Sequence, residues 1–350
     1  MPAVLEQFKQ QIRSAAAAKR ALRVRGSGSR DFYGVELNGE ILDLRPYYGV
    51  VEYEPTELVV TVRAGTRLSE LEATLAARNQ MLPFEPPYFG PDATVGGAIA
   101  SGFSGPRRAY AGSARDFVLG ILMLDSASDV HQFGGRVMKN VAGFDVARLM
   151  TGSFGTLGVI LEVSLKVLPI PQAECTLRYE FDEASAIEQM NRWAGEPLPL
   201  SATCYVDGKL WLRLSGARSA VDAARRKLGG ELTSDGAAFW RGVRDHSHAF
   251  FGGDTRLWRL SIKPTSPPLA LGPQLMEWNG SLRWIKTAAD ATFIHTAARA
   301  AGGHATLFRG NAQHDAIQHL DAALLAQHKK IKCALDPVGI FGPRRVSTEF

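Results

Sequence analysis

Most of the residues in this chain that could do chemistry have little or no side chain. From Pro91 to Gly112 the sequence reads PDATVGGAIASGFSGPRRAYAG, too poor in large side chains to build a core and too poor in charge for a solvated linker. Paired Gly96 and Gly97 let the backbone approach a bound group closely, and Ser101, Gly102 and Gly105 repeat the small-residue requirement a few positions on. A large flat cofactor with a phosphate tail would fill that space, and so would tight packing of a helix on a sheet. Earlier in the chain, Arg25-Gly26-Ser27-Gly28-Ser29-Arg30 offers consecutive backbone N–H groups, two glycines and two hydroxyls. These are the makings of an anion nest suited to a pyrophosphate. The loop is not the dinucleotide fingerprint of nicotinamide enzymes, because Asp31 stands where the third glycine belongs and no long helix pattern follows. Taken alone, it reads equally well as a surface turn. Two more glycine-dense runs follow, Gly134–Asp145 (GGRVMKNVAGFD) and Gly152–Ile160 (GSFGTLGVI).

The elements that must position these loops are short. Leu5, Phe8, Ile12 and Ala15 or Ala16 recur at helical spacing, which predicts an amphipathic helix over residues 3–18. A strand over Ala21–Val24 delivers the first loop, and strands over Glu40–Leu44, Val50–Tyr53 and Leu58–Arg63 follow. Thr66 then reads as the N-cap of a helix over Leu68–Arg78. Residues 81–92 are proline-rich and feed the glycine stretch as an extended connection. Asp116–Asp125 is a nearly continuous apolar run, as in a strand buried on both faces, and Ala127–Phe133 reads as a turn and a returning strand. A short helix up to Met150 and a strand over Leu161–Leu168 come next, and Pro169 and Pro171 mark the domain boundary.

Beyond it the pattern is strand 176–181, helix 183–194, strands 202–206 and 209–215, and helix 217–228. This is the grammar of an α+β sandwich with helices on one face, placed to cap the first domain. The stretch holding Trp240, Trp258, Trp278 and Trp284 shows no readable period, residues 314–329 look helical, and the tail from Lys330 to Val346 returns to turn chemistry.

Composition sets outer limits. A chain of 350 residues, 45% hydrophobic and 21% charged, is long enough for two or three domains and shows no low-complexity tract beyond Ala15–Ala18. The longest apolar runs fall far short of the ~18–20 residues that cross a bilayer. No export signal is visible, since Glu6, Lys9 and Arg13 interrupt the window for one. Three scattered cysteines match no metal or disulfide spacing and suit a reducing cytoplasm. The net charge of +5 is dispersed and lacks the aromatic interleaving of a nucleic-acid binder, so it fits a solvated surface or a contact for an acidic partner subunit.

Four features coincide in order: RGSGS after an early strand, PDATVGGAIASGFSGP, VMKNVAGFD with GSFGTLGVI, and a C-terminal DPVGIF followed by proline. Together they resemble the flavin-binding domain of the vanillyl-alcohol oxidase and p-cresol methylhydroxylase superfamily, over about residues 1–170 and the final 20. The resemblance implies an α+β fold: a two-lobed FAD-binding domain over 1–170 (lobes 1–85 and 86–170), a smaller α+β cap over 171–328, and a return of 329–350 to the first domain. It implies that Arg25, Gly26, Ser27, Gly28 and Ser29 bind the FAD pyrophosphate. Ala93, Thr94, Gly96, Gly97, Ala98, Ser101, Gly102 and Gly105 would lie along the pyrophosphate and flavin, and Gly155, Gly158 and Ile160 would contact the adenosine half.

The run VMKNVAGFDVARLMTGSFGTLGVI and the GGHATLFRG segment further resemble the family of smaller FAD-binding subunits, the E subunits, of bacterial glycolate oxidase complexes. That likeness implies oxidation of glycolate to glyoxylate, with a larger catalytic flavoprotein subunit and an iron–sulfur subunit as partners. It also implies a cytoplasmic chain that reaches the inner face of the membrane, if at all, through that complex. Two departures stand out, Phe144 where the family more often has tyrosine and Gly342 where relatives often carry asparagine.

Oxidising a 2-hydroxy acid by flavin requires a carboxylate clamp and a group that takes the hydroxyl proton. The segment corresponding to the histidine motif of larger relatives is Gly302-Gly303-His304-Ala305, without the aspartate and asparagine that follow it there. His304 therefore reads as a packing or surface residue more than as a base, and no catalytic residue is assigned. No metal site is expected: among the other histidines only His314 and His319 are near a ligand spacing, and five apart suits it poorly. No histidine lies in the flavin motifs, and His131 falls in the predicted turn and strand, so the FAD should be held non-covalently. A second reading is a flavin-bearing relay or scaffold subunit without substrate chemistry of its own. An autonomous hydroxy-acid oxidase would need an attachment histidine or a polar pocket that the sequence does not display.

Overall fold

The computed structural model describes residues 2–34, 37–135, 145–310, 317, 320–347 and 349. The chain is a mixed helix and sheet structure with two large hydrophobic bodies. The first is built from residues 8–168 together with 331–341, and the second from residues 173–308.

In the first body the helix Pro2–Ala17 buries Phe8, Ile12 and Ala15, the face that its spacing predicts. Strand Leu22–Arg25 pairs in parallel with Glu40–Asp43. A five-stranded antiparallel sheet runs in the order Val50–Glu54, Val59–Arg63, Val159–Lys166, Val118–Leu124, Val130–Gly134. The apolar run expected to be a strand from Asp116 begins with a helical turn, Ala114–Phe117, because Ser113 and Asp116 form a capping box there. Helix Leu68–Ala76 starts at Arg67 without a side-chain cap. Thr66, the expected cap, spends its hydroxyl on Gly49 N at 2.8 Å.

The glycine stretch forms the short helix Val95–Ser101, capped by Thr94, whose hydroxyl accepts from Gly97 N at 3.2 Å. Gly96 packs the helix on the sheet: its N–H donates to Ala64 O, and a Cβ there would sit 2.6 Å from Ala64 Cβ. Gly102 ends the helix at φ +66.

The second body is one eight-stranded sheet. Its order is Glu231–Leu232, Ala173–Glu180, Lys209–Gly216, Leu200–Val206, Gln274–Glu277, Leu282–Lys286, Leu257–Ser261, His304–Arg309. The stretch without a readable period thus supplies the other half of the sheet, and its tryptophans are buried. Helices Glu183–Ala194 and Arg218–Leu228 cover Leu177, Leu210, Leu212 and Leu214, whereas Gly236–Arg244 packs beside Cys204, Trp211 and Trp284. Alternate residues along a strand face opposite ways, so helices lie on both faces rather than on one. The face with Trp284 meets Tyr33, Phe89 and Phe103 of the first body.

The C-terminal helix is Ala322–Leu335, shifted from the expected 314–329; residues 311–316, with His314, and 318–319 lie outside the described residues. The same holds for 136–144, which contain most of the VMKNVAGFD motif and Phe144. After that helix the tail runs beside the first strand. Leu22 N donates to Ile340 O at 2.7 Å, and Gly342 N donates to Leu22 O at 2.8 Å. Lys332 Nζ locks the tail by donating to Asp336 Oδ2, Thr156 O and Phe341 O at 2.6, 2.6 and 2.7 Å.

Candidate cofactor site

Between the first strand, the capped helix and the tail lies a cleft with about 890 Å³ of non-atom space, its open mouth included. Its floor is the loop after Leu22–Arg25. Asp31 N turns back to Gly28 O at 2.9 Å, and Gly28 takes φ +80, a conformation that favours glycine. Loop and helix touch at Gly26, where a Cβ would fall 2.2 Å from Thr94 Oγ1. The far wall carries Gly155, Gly158 and Ile160.

Of the residues singled out from the sequence, Arg25, Gly26, Ser27, Gly28, Ser29, Thr94, Gly96, Gly97, Ser101, Gly155, Gly158 and Ile160 all line this cleft. Ala93, Ala98, Gly102 and Gly105 do not. Ala93 and Ala98 are buried in the core, and Gly102 is the helix C-cap against Gly152. Gly105 belongs to the seam with the second body, where its carbonyl accepts from Trp278 Nε1 at 3.0 Å. Each is small for a packing reason that a sequence reader cannot separate from a cofactor reason.

The electrostatics of the cleft come largely from residues that the sequence reading passed over. Arg23, Arg25, Arg30 and Arg345 line it with one carboxylate, Asp31, which pairs with Arg25 at 2.8 Å. Arg345 Nη2 donates to Arg30 O at 3.0 Å, so the tail brings its guanidinium to the first loop. Burial pulls Arg30 and Arg345 down to about 10. The Nε atoms of Arg23 and Arg30 are buried without a partner. Such groups are costly unless an anion meets them, and a diphosphate supplies that anion with its acceptor oxygens. The donor set therefore fits a dinucleotide diphosphate. Phe154 extends the lining toward the second body, stacking on Tyr33, which in turn packs on Phe308. Arg30 ends the glycine loop and could have been counted with it; Arg345 carried no local signal.

Among the described residues no histidine lines the cleft. His131 pairs with Asp125 at 2.7 Å on the strand Val130–Gly134, and His304 sits at the exposed start of its strand. Among the described residues no group of three His, Cys, Asp or Glu could hold a metal ion.

Comparison with known proteins agrees with this geometry. The FAD binding domain family matches residues 1–134. The glycolate oxidase subunit GlcE of Escherichia coli K12 is 46% identical over 341 residues, 97% of this chain and 96% of that protein. Glycolate oxidase subunit GlcD of Bacillus subtilis is 29% identical over 167 residues, 47% of this chain and 35% of its own length. In fold, alkyldihydroxyacetonephosphate synthase superposes with a TM-score of 0.66 at 16% identity, covering 97% of this chain and 76% of that one. Likeness at 46% along nearly the whole of both sequences leaves no room for a chance match, and this chain belongs to the GlcE family of FAD-binding flavoprotein subunits.

Proposed function

We propose that the chain is the FAD-holding subunit of a hetero-oligomeric glycolate oxidase, which converts glycolate to glyoxylate with loss of two electrons and two protons. The observation that carries this is the cleft: a glycine loop and four guanidiniums converge where two buried Nε atoms lack a partner. The backbone of Arg25–Ser29, with Arg23, Arg30 and Arg345, would grip the diphosphate non-covalently. Thr94, Gly96, Gly97 and Ser101 would lie along it, and Gly155, Gly158 and Ile160 would wall the adenosine end. Bound FAD supplies acceptance of the two electrons.

Residues 1–170 and 329–350 form the cofactor domain in this reading, with lobes 1–85 and 86–170, and residues 171–328 form the cap. The separate hydrophobic bodies support that division. The larger flavoprotein partner is a GlcD-like subunit, and an iron–sulfur subunit carries electrons onward. Among the described residues no helix is long and apolar enough to cross a membrane, so contact with the inner face of the membrane would go through the complex.

The test is to purify the chain alone and with its partners, record the flavin spectrum, and add glycolate. Flavin that co-purifies with the chain and is lost on Arg30→Met supports the reading. A folded chain that neither co-purifies with nor takes up flavin overturns it.

A further inference from the structure

Outside the cleft, the described residues hold a second enclosed hollow with charged walls. It lies on the inner face of the eight-stranded sheet, where Arg259, Glu277 and Trp284 point the same way from three neighbouring strands and meet Phe103 of the glycine stretch. A wall of rings separates it from the cofactor cleft: Tyr33 stacks on Phe154 at 5.0 Å, and Phe103 packs on both at 5.2 and 5.8 Å. The hollow is thus two rings, Phe103 and Phe154, away from the cleft.

Its charges balance only in part. Arg259 makes no hydrogen bond or salt bridge among the described residues; it lies over the faces of Trp278 and Trp284 at 5.6 and 6.0 Å, with Glu277 and Tyr33 favouring its charge at longer range and Arg108 opposing it. Glu277, the carboxyl of the hollow, is pushed up by burial to about 7, so near neutral pH it offsets Arg259 only in part, and it takes its hydrogen bond from Trp284 Nε1 at 2.9 Å. His246 stacks on Phe251 at 3.9 Å and leaves a buried Nδ1 without a partner. Burial, then Arg309 and Arg259, hold this imidazole well below its ordinary value, so it is neutral. A guanidinium short of a counter-charge beside a neutral imidazole is suited to an anion that also carries a hydroxyl.

We infer that the Arg259 hollow binds a two-carbon 2-hydroxy or 2-oxo carboxylate, with Arg259 on the carboxylate and His246 beside the hydroxyl. This rests on the proposed function and gives the subunit a substrate-binding place of its own. The hollow has room for about one water-sized molecule. A two-carbon acid must therefore push a ring aside, and each added methyl must push further, so size selection is steep.

Trp278 and Trp284 line the hollow and report on it. Tryptophan emission of the full chain, purified without partner subunits, is titrated with glycolate and with glycolamide, its neutral isostere. The flavin content of the same sample is read by absorbance. Glycolate should change the emission and glycolamide should not, and lactate should bind about tenfold or more weakly than glycolate. Arg259→Gln should weaken glycolate binding by about tenfold or more, with Arg259→Lys in between. Equal responses to glycolate and glycolamide would overturn the inference, as would equal affinity for lactate and glycolate. So would a flavin-bearing, normally melting Arg259→Gln chain that binds glycolate like the parent. If that variant does not fold, the acid–amide comparison on the parent chain still decides. Absent flavin would sink the proposed function instead, and that comparison on the apoprotein would still judge the hollow.

Discussion

Two sets of arginines in this molecule are similarly buried and differently used. In the seam between the bodies, Arg107 and Arg213 are 8% and 3% exposed; in the cleft, Arg30 and Arg345 are 7% and 8% exposed. The seam pair is met by carboxylates. Glu85 Oε2 accepts from Arg213 Nη2 at 2.9 Å and from Arg107 N at 2.8 Å, and Arg107 Nη2 donates to Glu174 at 2.8 Å. Burial alone would raise Glu85, yet the two cations hold it below its ordinary value. In the cleft no carboxylate among the described residues pairs with Arg30 or Arg345, although Asp31 favours the Arg345 charge at longer range, and burial weakens their hold on the proton. A buried cation with its counter-charge built in is a structural clamp, and one without it is a candidate binding site.

Removing the clamp should have the largest effect. Glu85→Ala leaves two buried guanidiniums short of a partner and should cost about 3–5 kcal/mol of stability in denaturant unfolding; an unchanged midpoint would mean that the seam does not join the bodies. Lys332→Met comes next. It strands Asp336, which is 2% exposed and also accepts from Gly339, Ile340 and Phe341 N, and should cost about 3 kcal/mol and loosen the FAD by freeing the tail that carries Arg345.

Arg30→Met sharpens the contrast. Flavin retention should fall about 30-fold, while the apoprotein loses only about 1–2 kcal/mol, from the hydrogen bonds to Pro87 O and Ser29 Oγ, because the lost charge had no paired counter-ion. An apoprotein as damaged as Glu85→Ala would break the distinction between clamp and site.

The smallest effect is in pH. Since Glu85 is depressed in the folded state, its contribution is present above its unfolded value near 4.5 and disappears as pH falls through the folded one. Stability of the parent should therefore decline more steeply than that of Glu85→Gln as pH falls below about 4.5. Parallel curves would remove the ion pairs from the account.

The lining of the cleft was legible where its cause is local. Gly28 turns the loop at positive φ, and Thr94 caps a helix with its own hydroxyl, both within a few residues of sequence. Gly102 and Gly105 look the same in sequence, but one is a helix C-cap and the other makes space at the seam. The unreadable stretch after residue 228 failed for a related reason. Its strands are short and buried on both faces, and two of them pair with partners far off in sequence, so no period-two alternation marks them.

By itself the sequence determined the glycine loop after the first strand, the small-residue stretch, the mixed class of fold and the family likeness, because backbone freedom and motif order are written in neighbouring residues. Only the tertiary structure decided that Arg345 would meet Arg30 across 315 residues. It alone decided that Arg259, Glu277 and His246 would share one hollow. Those meetings follow from strand order and register, which are set by how the two cores close, and no spacing along the chain encodes them.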